Sequence, residues 1–449
     1  MSENNALARQ FTLPSLMRFA LPNIIMMVFL SMYTIVDGMF ISRYVGTLAL
    51  SAVNMTYPLN CLEMALGIML ATGGSAVIAR QLGEGEEEKA RHNFSFLITV
   101  SVVVSLVFLL AAIFFLDPII SALGASKAQF DLCRTYARIL LLFSPAFFLQ
   151  TAFQTLFITA GRPGLGLAAT VGGGLTNIVL DYVFIARFHW GIAGAAIATG
   201  LGYLVPAVVG LFFFSCNRRG TLFFVRPRAD GRMLLFACAN GSSEMVTNIA
   251  NAITTYLFNL IFLHYWGEDG VASITIVLYF QFVFTAVFFG FSMGVAPVFS
   301  YKYGAQDTPQ LRRLFRYCIG FVILCSVFCT VLSLVVIRPC LALFTDAASR
   351  VFSITIDGFP IYAVSFLFMG VSIFASSLFT AFSDGRVSAI ISFARTLVFL
   401  VGMLLLLPLL LGEIGVWLAV PAAELLGIVV SIRYLVRLRG VYHYGTVNG

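Results

Sequence analysis

The sequence has little charge for its length. Only 10% of its 449 residues are charged, whereas soluble domains carry about 25%. No Gly-x-x-x-x-Gly-Lys motif accompanies any of its few lysines, so a phosphate-binding P-loop and ATP use are not expected. The eight cysteines include no Cys-x-x-Cys pair, and neither a disulfide framework nor a metal centre is expected. No nucleophile and base stand in a catalytic pattern, so we do not expect an enzyme or a bound cofactor.

What the sequence does have is long apolar runs, with 60% hydrophobic residues and a mean hydropathy of +0.97. Runs of about 20 residues cross a bilayer as helices, because every backbone polar group is then bonded within its own segment. The prediction is an all-α integral membrane protein with twelve transmembrane helices. The predicted spans are 15–42, 50–79, 93–116, 135–159, 165–187, 191–215, 234–263, 271–300, 316–337, 358–381, 388–411 and 414–436.

The basic residues lie mostly between these spans, which indicates topology rather than nucleic-acid binding. If both termini are cytoplasmic, 19 of the 27 Lys and Arg fall on the cytoplasmic side and 7 on the other, as the positive-inside rule requires. The first span has no cleavage site after it, so we expect it to stay. We predict an N-terminal bundle over 1–217, a basic cytoplasmic linker over 218–233 and a C-terminal bundle over 234–449.

The two halves of the chain match at a constant offset of 221 residues. Gly73 corresponds to Gly294 and Gly83 to Gly304, and similar matches extend over about 150 positions without gaps. Six spans in each half return the chain to the same side, so the repeat is parallel. We therefore expect two six-helix bundles related by a pseudo-two-fold axis along the membrane normal, a plan that secondary transporters use. A duplicated scaffold without transport activity is the alternative.

Acidic residues inside predicted spans are the most specific functional signal. Asp37 and Asp181 each cost about 2.5–3.5 kcal/mol at the centre of a bilayer, and Asn177 shares a helix face with Asp181. With Thr199 they form an oxygen-rich set that suits a hard cation such as Na⁺, and a carboxylate removed from water also binds a proton. The alternative is that the aspartates only hold neighbouring helices by hydrogen bonds.

The internal repeat restricts this set to one half. At the offset of 221, Asp37 corresponds to Phe258 and Asp181 to Gly402, so the repeated architecture does not require the acids. Pro22 lies on the same predicted helix as Asp37 and kinks it, because proline removes a helical hydrogen bond. The kink is either static or an element that protonation moves between two states.

Other polar residues within apolar runs are candidates to line a substrate cleft. Each acid among them either attracts a cationic substrate, pairs with Arg395 or extends towards the membrane surface. The glutamines either bind substrate or hold helices together. The candidates are Glu63, Glu244, Glu424, Gln150 and Gln154.

Four stretches resemble the multidrug and toxic compound extrusion (MATE) transporters, most closely the DinF-like and MepA-like bacterial members. They are Ile35-Val-Asp37-Gly-Met-Phe-Ile, Ile78-Ala-Arg-Gln-Leu-Gly-Glu-Gly, Asn177-Ile-Val-Leu-Asp181 and Gly415-Val-Trp-Leu-Ala-Val-Pro421-Ala-Ala-Glu424. The resemblance covers almost the whole chain. It implies a multi-pass protein of the bacterial inner membrane that exports amphipathic, often cationic drugs in exchange for Na⁺ or H⁺. We expect a monomer with no nucleic-acid partner.

The resemblance also implies roles for single residues. Asp37, Asn177, Asp181 and Thr199 match the N-terminal cation site of DinF-like members, and Pro22 matches their helix-bending proline. The NorM-like branch instead uses a glutamate of the seventh helix and an aspartate of the tenth. Glu244 matches that glutamate, but the tenth helix here has no acid, so a NorM-like site is not expected.

Two other functions compete with drug export. A flippase for lipid-linked precursors or polysaccharides belongs to the same superfamily, but such proteins usually have extra helices and a basic cavity. A membrane enzyme that acts on lipids needs converging catalytic groups, and none is seen. The sequence therefore favours a cation-coupled multidrug antiporter.

Overall fold

The computed structural model describes residues 6–346 and 348–445, and these residues form helices and connecting turns with no strand. The first half contains α1 (Leu13–Phe40), α2 (Thr47–Gly83), α3 (Glu87–Phe114), α4 (Leu116–Ala122), α5 (Lys127–Leu142), α6 (Ser144–Thr159), α7 (Pro163–Asp181) and α8 (Gly191–Cys216). Short π-helical segments, Ile41–Val45 and Tyr182–Arg187, extend α1 and α7. A segment without regular secondary structure, over 217–230, leads to the second half.

The second half repeats this order, with its first two spans assigned as one long helix. It contains α9 (Gly231–Gly304), α10 (Thr308–Phe344), α11 (Arg350–Ala363), α12 (Ser365–Ala381), α13 (Gly385–Phe393), α14 (Leu400–Leu411) and α15 (Glu413–Arg437). The π-helical segment Ala394–Phe399 joins α13 to α14. The all-helical membrane fold expected from composition is confirmed.

The number of spans depends on how bent helices are counted. Nine helices of the described residues are long and apolar enough to cross a membrane, or eleven when α5 with α6 and α11 with α12 each form one bent span. The 74-residue α9 has non-helical backbone angles at Gly267, where two helices meet. A straight helix of 74 residues would measure about 110 Å, which far exceeds a bilayer, so α9 counts as two spans. When α9 is counted as two spans, the total of eleven becomes twelve, which is the number predicted from the sequence.

The backbone preserves the offset of 221 residues. Gly46 and Gly267 both have positive φ before a long helix, at 121° and 66°. Gly191 and Gly412 have φ of 58° and 59° before the last helix of each half. L-residues rarely adopt these angles, whereas glycine does so at no steric cost. The turn chemistry therefore places the helix starts of both halves at equivalent positions.

The bends also repeat. The angle between α5 and α6 is 55°, and that between α11 and α12 is 48°. The single residues at the two breaks, Phe143 and Val364, are again 221 positions apart. Each half thus contains a discontinuous helix whose second segment begins inside the bundle.

Hydrophobic packing differs between the two ends of the molecule. One core joins both halves, with Phe94 and Phe153 packed in the same cluster as Phe299 and Phe374. Two other cores each belong to a single half, one within residues 41–196 and the other within 258–420. The halves therefore meet at a closed end, which carries the α2–α3 and α9–α10 turns, and diverge towards an open end, which carries Gly46 and Gly267.

Glycines allow this close approach at the closed end. A Cβ on Gly83 would lie 2.0 Å from the Tyr301 carbonyl oxygen, and a Cβ on Gly304 would lie 2.2 Å from that of Arg80. These two contacts are equivalent at the offset of 221. Since real Cβ atoms do not approach backbone so closely, each contact requires glycine.

Both described chain ends lie at the closed end. Lys302 Nζ donates to the Ala8 carbonyl oxygen at 3.1 Å, and Gln310 Nε2 donates to that of Phe11 at 2.8 Å. Near the C-terminus, the Tyr442 ring stacks on Phe382 with centroids 4.9 Å apart. The segment before α1 thus ties the first half to α9 and α10.

Candidate functional site

The four residues of the predicted cation site come together in the first half. Asp37 lies on α1 and is partly exposed, while Asn177 and Asp181 on α7 and Thr199 on α8 are buried. Asn177 Nδ2 donates to Thr199 Oγ1 at 3.4 Å, and the Thr199 hydroxyl donates to the Ala195 carbonyl oxygen at 3.0 Å. Three helices therefore contribute to one cluster.

The oxygens of this cluster lack hydrogen-bond donors. Asp37 Oδ1, Asn177 Oδ1 and both carboxyl oxygens of Asp181 are buried atoms without a partner. The carboxyl groups of Asp37 and Asp181 are direct neighbours. Among the described residues, no Lys, Arg or His forms an ion pair with either one. Such oxygens fit a small hard cation or a shared proton, because leaving them unpaired is costly.

Local backbone geometry positions both carboxylates. Asp181 is the last residue of α7, and the π-helical segment follows it directly. Asp37 lies four residues before the π-helical segment of α1. A π-helical turn holds one extra residue and re-aims the side chains around it, and such turns are frequent at functional sites. No residue pattern predicted these π-helical segments.

Three tyrosines surround the pair and were missed by sequence reasoning. The ring of Tyr33 on α1 and that of Tyr136 on α5 lie close enough to interact with both carboxyl groups, and Tyr203 on α8 interacts with Asp37. Tyr33 was detectable, since it precedes Asp37 by one helical turn. The other two lie far away in sequence, and only the packing of α5 and α8 reveals them.

The candidate cleft residues of the first half are mostly engaged inside the bundle. Gln154 Nε2 donates to Thr170 Oγ1 at 3.3 Å and so joins α6 to α7. Gln150 is buried at 8% exposure. Glu63 on α2 is 5% exposed, beside Ser144, and its Oε1 has no partner. The structure places these three residues inside the first bundle rather than on an open surface.

The second half arranges its acids differently. Arg395 Nε donates to both carboxyl oxygens of Glu424, at 3.0 and 3.1 Å, and both side chains are buried. Glu424 therefore pairs with Arg395, one of the alternatives left by the sequence. Glu244 lies near Arg395 and lines a small cavity with Thr72, Ser300 and other hydroxyl-bearing residues. Pro22 lies inside a continuous α1.

A larger groove opens near Gly267, between the two parts of α9. Its volume is about 740 Å³, and its walls are mainly apolar and aromatic, with Tyr256, Leu260 and Tyr279 among them. Asn259 and Glu268 add polar atoms. A groove of this size and character accommodates an amphipathic molecule. Among the described residues, no three His, Cys, Asp or Glu side chains cluster to hold a metal ion.

Solved structures share this architecture. One is described as the outward-facing conformation of a multidrug resistance MATE family transporter of the MOP superfamily, with a TM-score of 0.92 at 22% identity, covering 99% of this chain and 100% of that chain. Another is a MOP superfamily transporter from Pyrococcus furiosus, for which a binding pocket of reverse polarity suggests a different function. Its TM-score is 0.91 at 22% identity, with 99% and 100% coverage.

Sequence comparison gives the same grouping. The chain is 24% identical over 434 residues to the multidrug export protein MepA of Staphylococcus aureus strain bovine RF122 / ET3-1, covering 95% of this chain and 94% of that protein. It is also 24% identical to MepA of Staphylococcus haemolyticus, with 90% and 88% coverage. Residues 22–183 and 245–405 each match the MatE family, one match in each half. The chain therefore belongs to the MatE family.

Proposed function

We propose that this protein is a multidrug efflux antiporter that exports amphipathic, often cationic compounds in exchange for an inward cation. The observation that carries the proposal is the set of buried, unpartnered oxygens of Asp37, Asn177 and Asp181. Inside a membrane such a set is a functional site by default, because its cost is unexplained by packing. The multidrug export described for the similar staphylococcal proteins supports the choice of substrate.

The separate cores at the open end support alternating access. Since the halves pack together only at the closed end, each can move as a body when the packing there is broken. We take 1–217 and 234–449 as the two moving bundles, with 218–233 as the linker. Aromatic and aliphatic side chains exposed towards the open end, such as Met32 and Tyr256, provide apolar contact area for drugs.

The acids of the first half couple the ion to these movements. Two neighbouring carboxylates repel each other, so a bound Na⁺ or proton draws α1 and α7 together. Thr199 and Asn177 contribute neutral oxygens, which are typical ligands of a hard cation. The ion and the drug then favour different arrangements of the same helices, and exchange follows from that difference in affinity.

The proposal includes location and assembly. We place the closed end and both termini on the cytoplasmic side of the bacterial inner membrane, as the distribution of Lys and Arg favours. We propose a monomer with no further cofactor.

Dye efflux from proteoliposomes tests the function. The reconstituted protein should move a cationic dye when a Na⁺ gradient or a pH gradient is imposed alone, and the gradient that works identifies the ion. Asp37→Asn should insert and fold but lose ion-driven efflux. Undiminished efflux by this variant would show that the aspartate cluster does not couple the ion.

A further inference from the structure

Glu63 is a buried acid that the proposed cation site does not use. It is 5% exposed, and its Oε1 is a buried atom without a hydrogen-bond partner. It lies sixteen residues from the start of α2, about 24 Å along the helix, whereas Asp37 is only about 12 Å from the end of its span at Val45. Glu63 therefore lies deeper from the open end than the aspartates.

Its carboxyl group faces the start of a helix segment. Ser144 is the side-chain neighbour of Glu63, and it is the first residue of α6, immediately after the 55° bend. The first backbone N–H groups of a helix lack partners within it and carry partial positive charge. Pro145, the next residue, has no N–H to offer. The α6 N-terminus and the Ser144 hydroxyl, whose Oγ is buried without a partner, are thus the polar groups beside the Glu63 carboxyl group, and no basic side chain forms an ion pair with it in the described chain.

The internal repeat supplies a comparison within the same molecule. At the offset of 221, Glu63 corresponds to Phe284 and Ser144 to Ser365. Both serine Oγ atoms are buried without a partner, but Phe284 packs on Phe366 with centroids 5.1 Å apart where the first half has the acid. The bend forms in both halves, at 55° and 48°, so it does not need the acid. Glu63 therefore serves a purpose other than shaping the helix.

Tyr203 is an aromatic neighbour that Glu63 shares with Asp37. Its ring lies near both Glu63 and Asp37, and it packs edge-on against Phe147 of α6 at 5.2 Å. The titratable groups on the helices around this region are Tyr33 and Asp37 of α1, Tyr57 and Cys61 of α2, Tyr136 of α5, Asp181 of α7 and Tyr203 of α8. Glu244 of α9 lies farther away, beside Thr72 and Ser75 of α2. All are acids, phenols or a thiol, so none supplies a positive charge to Glu63.

We propose that Glu63 is a second protonation site, which takes up and releases a proton during each transport cycle and thereby switches the contact between α2 and the start of α6. The inference rests on the proposed function. A proton suits the site better than a drug or metal ion, because Glu63 and Ser144 are almost fully buried and offer too few oxygens for a metal. Protonation removes the charge that holds the carboxylate at the α6 N-terminus. The bend is then free to change.

The repeat provides matched variants for the test. Glu63→Gln keeps the volume and hydrogen-bonding capacity but cannot titrate, and we expect the pH dependence of dye efflux to flatten. Ser144→Ala removes a donor to the ionised carboxylate, so the pH midpoint of efflux should move up by about one unit. Ser365→Ala, the equivalent change beside Phe284, should leave the midpoint unchanged. Equal shifts for the two serine variants would overturn the proposal.

Infrared difference spectroscopy gives a readout that does not depend on transport. In the Asp37→Asn/Asp181→Asn/Glu244→Gln protein, a carboxylic acid band should titrate between about pH 5 and 9, and adding Glu63→Gln should abolish it. Persistence of that band after Glu63→Gln, or its absence beforehand, would refute titration of Glu63. Glu63→Asp retains a titratable group and should therefore keep a pH-dependent efflux, which Glu63→Gln loses. Failure of the antiporter proposal would instead appear as ion-driven efflux in Asp37→Asn.

Discussion

The two halves of this transporter share a backbone and differ in how they treat charge. In the second half, Arg395 and Glu424 neutralise each other at 3.0 Å inside the bundle. In the first half, Asp37 and Asp181 are neighbours, and Glu63 lies deeper, yet no basic side chain pairs with any of them in the described chain. Equivalent helices and bends therefore hold an ion pair in the second half and unpaired acids in the first half.

This difference indicates a division of tasks. A buried ion pair is internally compensated and needs nothing from outside, although it contributes little net stability. Unpaired acids at membrane depth are stable only when a proton or cation joins them. We infer that the first half responds to the ion, while the second half moves against it as a partner of fixed charge.

The largest effect is expected when the unpaired acids are changed. Asp181→Asn leaves the volume of the cluster intact but removes a charge that attracts the cation, so ion-driven efflux should fall to the level of empty liposomes. Counterflow of dye without an ion gradient should persist, because the apolar groove is untouched. Measured efflux near the wild-type rate in Asp181→Asn would remove the basis for the comparison.

Breaking the pair in the second half should affect stability instead of coupling. Glu424→Gln leaves the buried guanidinium of Arg395 without its counter-charge, at a cost of about 3–5 kcal/mol. Thermal unfolding in detergent should show a lowered Tm, and Arg395→Met in the same chain should recover most of the loss. If Glu424→Gln unfolded like the wild type while ion coupling vanished, the second half would hold the ion site.

The closed end should respond symmetrically, since its packing repeats. Gly83→Ala and Gly304→Ala each force a Cβ into a facing carbonyl, which costs about 1–3 kcal/mol. Spin labels on the α2–α3 and α9–α10 turns should report longer distances in both variants, to similar extents. Gly402→Ala provides the control, because a Cβ there meets no atom within 4 Å. A change in only one of the two variants would mean that the closing contacts are unequal.

Thr199→Ala should have the smallest effect. It removes one neutral oxygen and the acceptor of the Asn177 amide, so apparent ion affinity should fall roughly tenfold with maximal efflux retained. Val420→Ala, at the equivalent position of the second half, should not alter ion affinity. A Thr199 variant with unchanged ion dependence would exclude the threonine from the site.

The sequence predicted the parts of the fold that depend on composition and local pattern. Apolar runs located the spans, and glycines such as Gly46 and Gly267 marked equivalent turns because their backbone angles demand glycine. The bends at Phe143 and Val364 were not predicted, and the predicted span 135–159 begins inside α5. Pro145 follows the first break by two residues and removes one helical hydrogen bond, but no proline lies in α12 after Val364. Because the bend repeats without that proline, tertiary packing contributes to both bends.

The candidate site was predicted only in part, because tertiary packing also decides which side chains meet there. Asp37, Asn177, Asp181 and Thr199 were found from chemistry and from the resemblance. The offset then matched Asp181 with Gly402, yet Asp181 is buried and Gly402 is exposed.

A shift in helical register explains this mismatch. The π-helical segment follows Asp181 in the first half but precedes Gly402 in the second, and each such turn adds one residue. Hydrogen-bond patterns of this kind leave no signal in residue spacing.

The central claim is that the coupling ion binds only in the first half. Dye efflux from proteoliposomes driven by a single imposed ion gradient, compared for wild type, Asp181→Asn and Glu244→Gln, tests it most directly. We expect the gradient to drive wild type and Glu244→Gln but not Asp181→Asn. Efflux by Asp181→Asn together with loss of efflux by Glu244→Gln would contradict the claim and assign the ion to the second half.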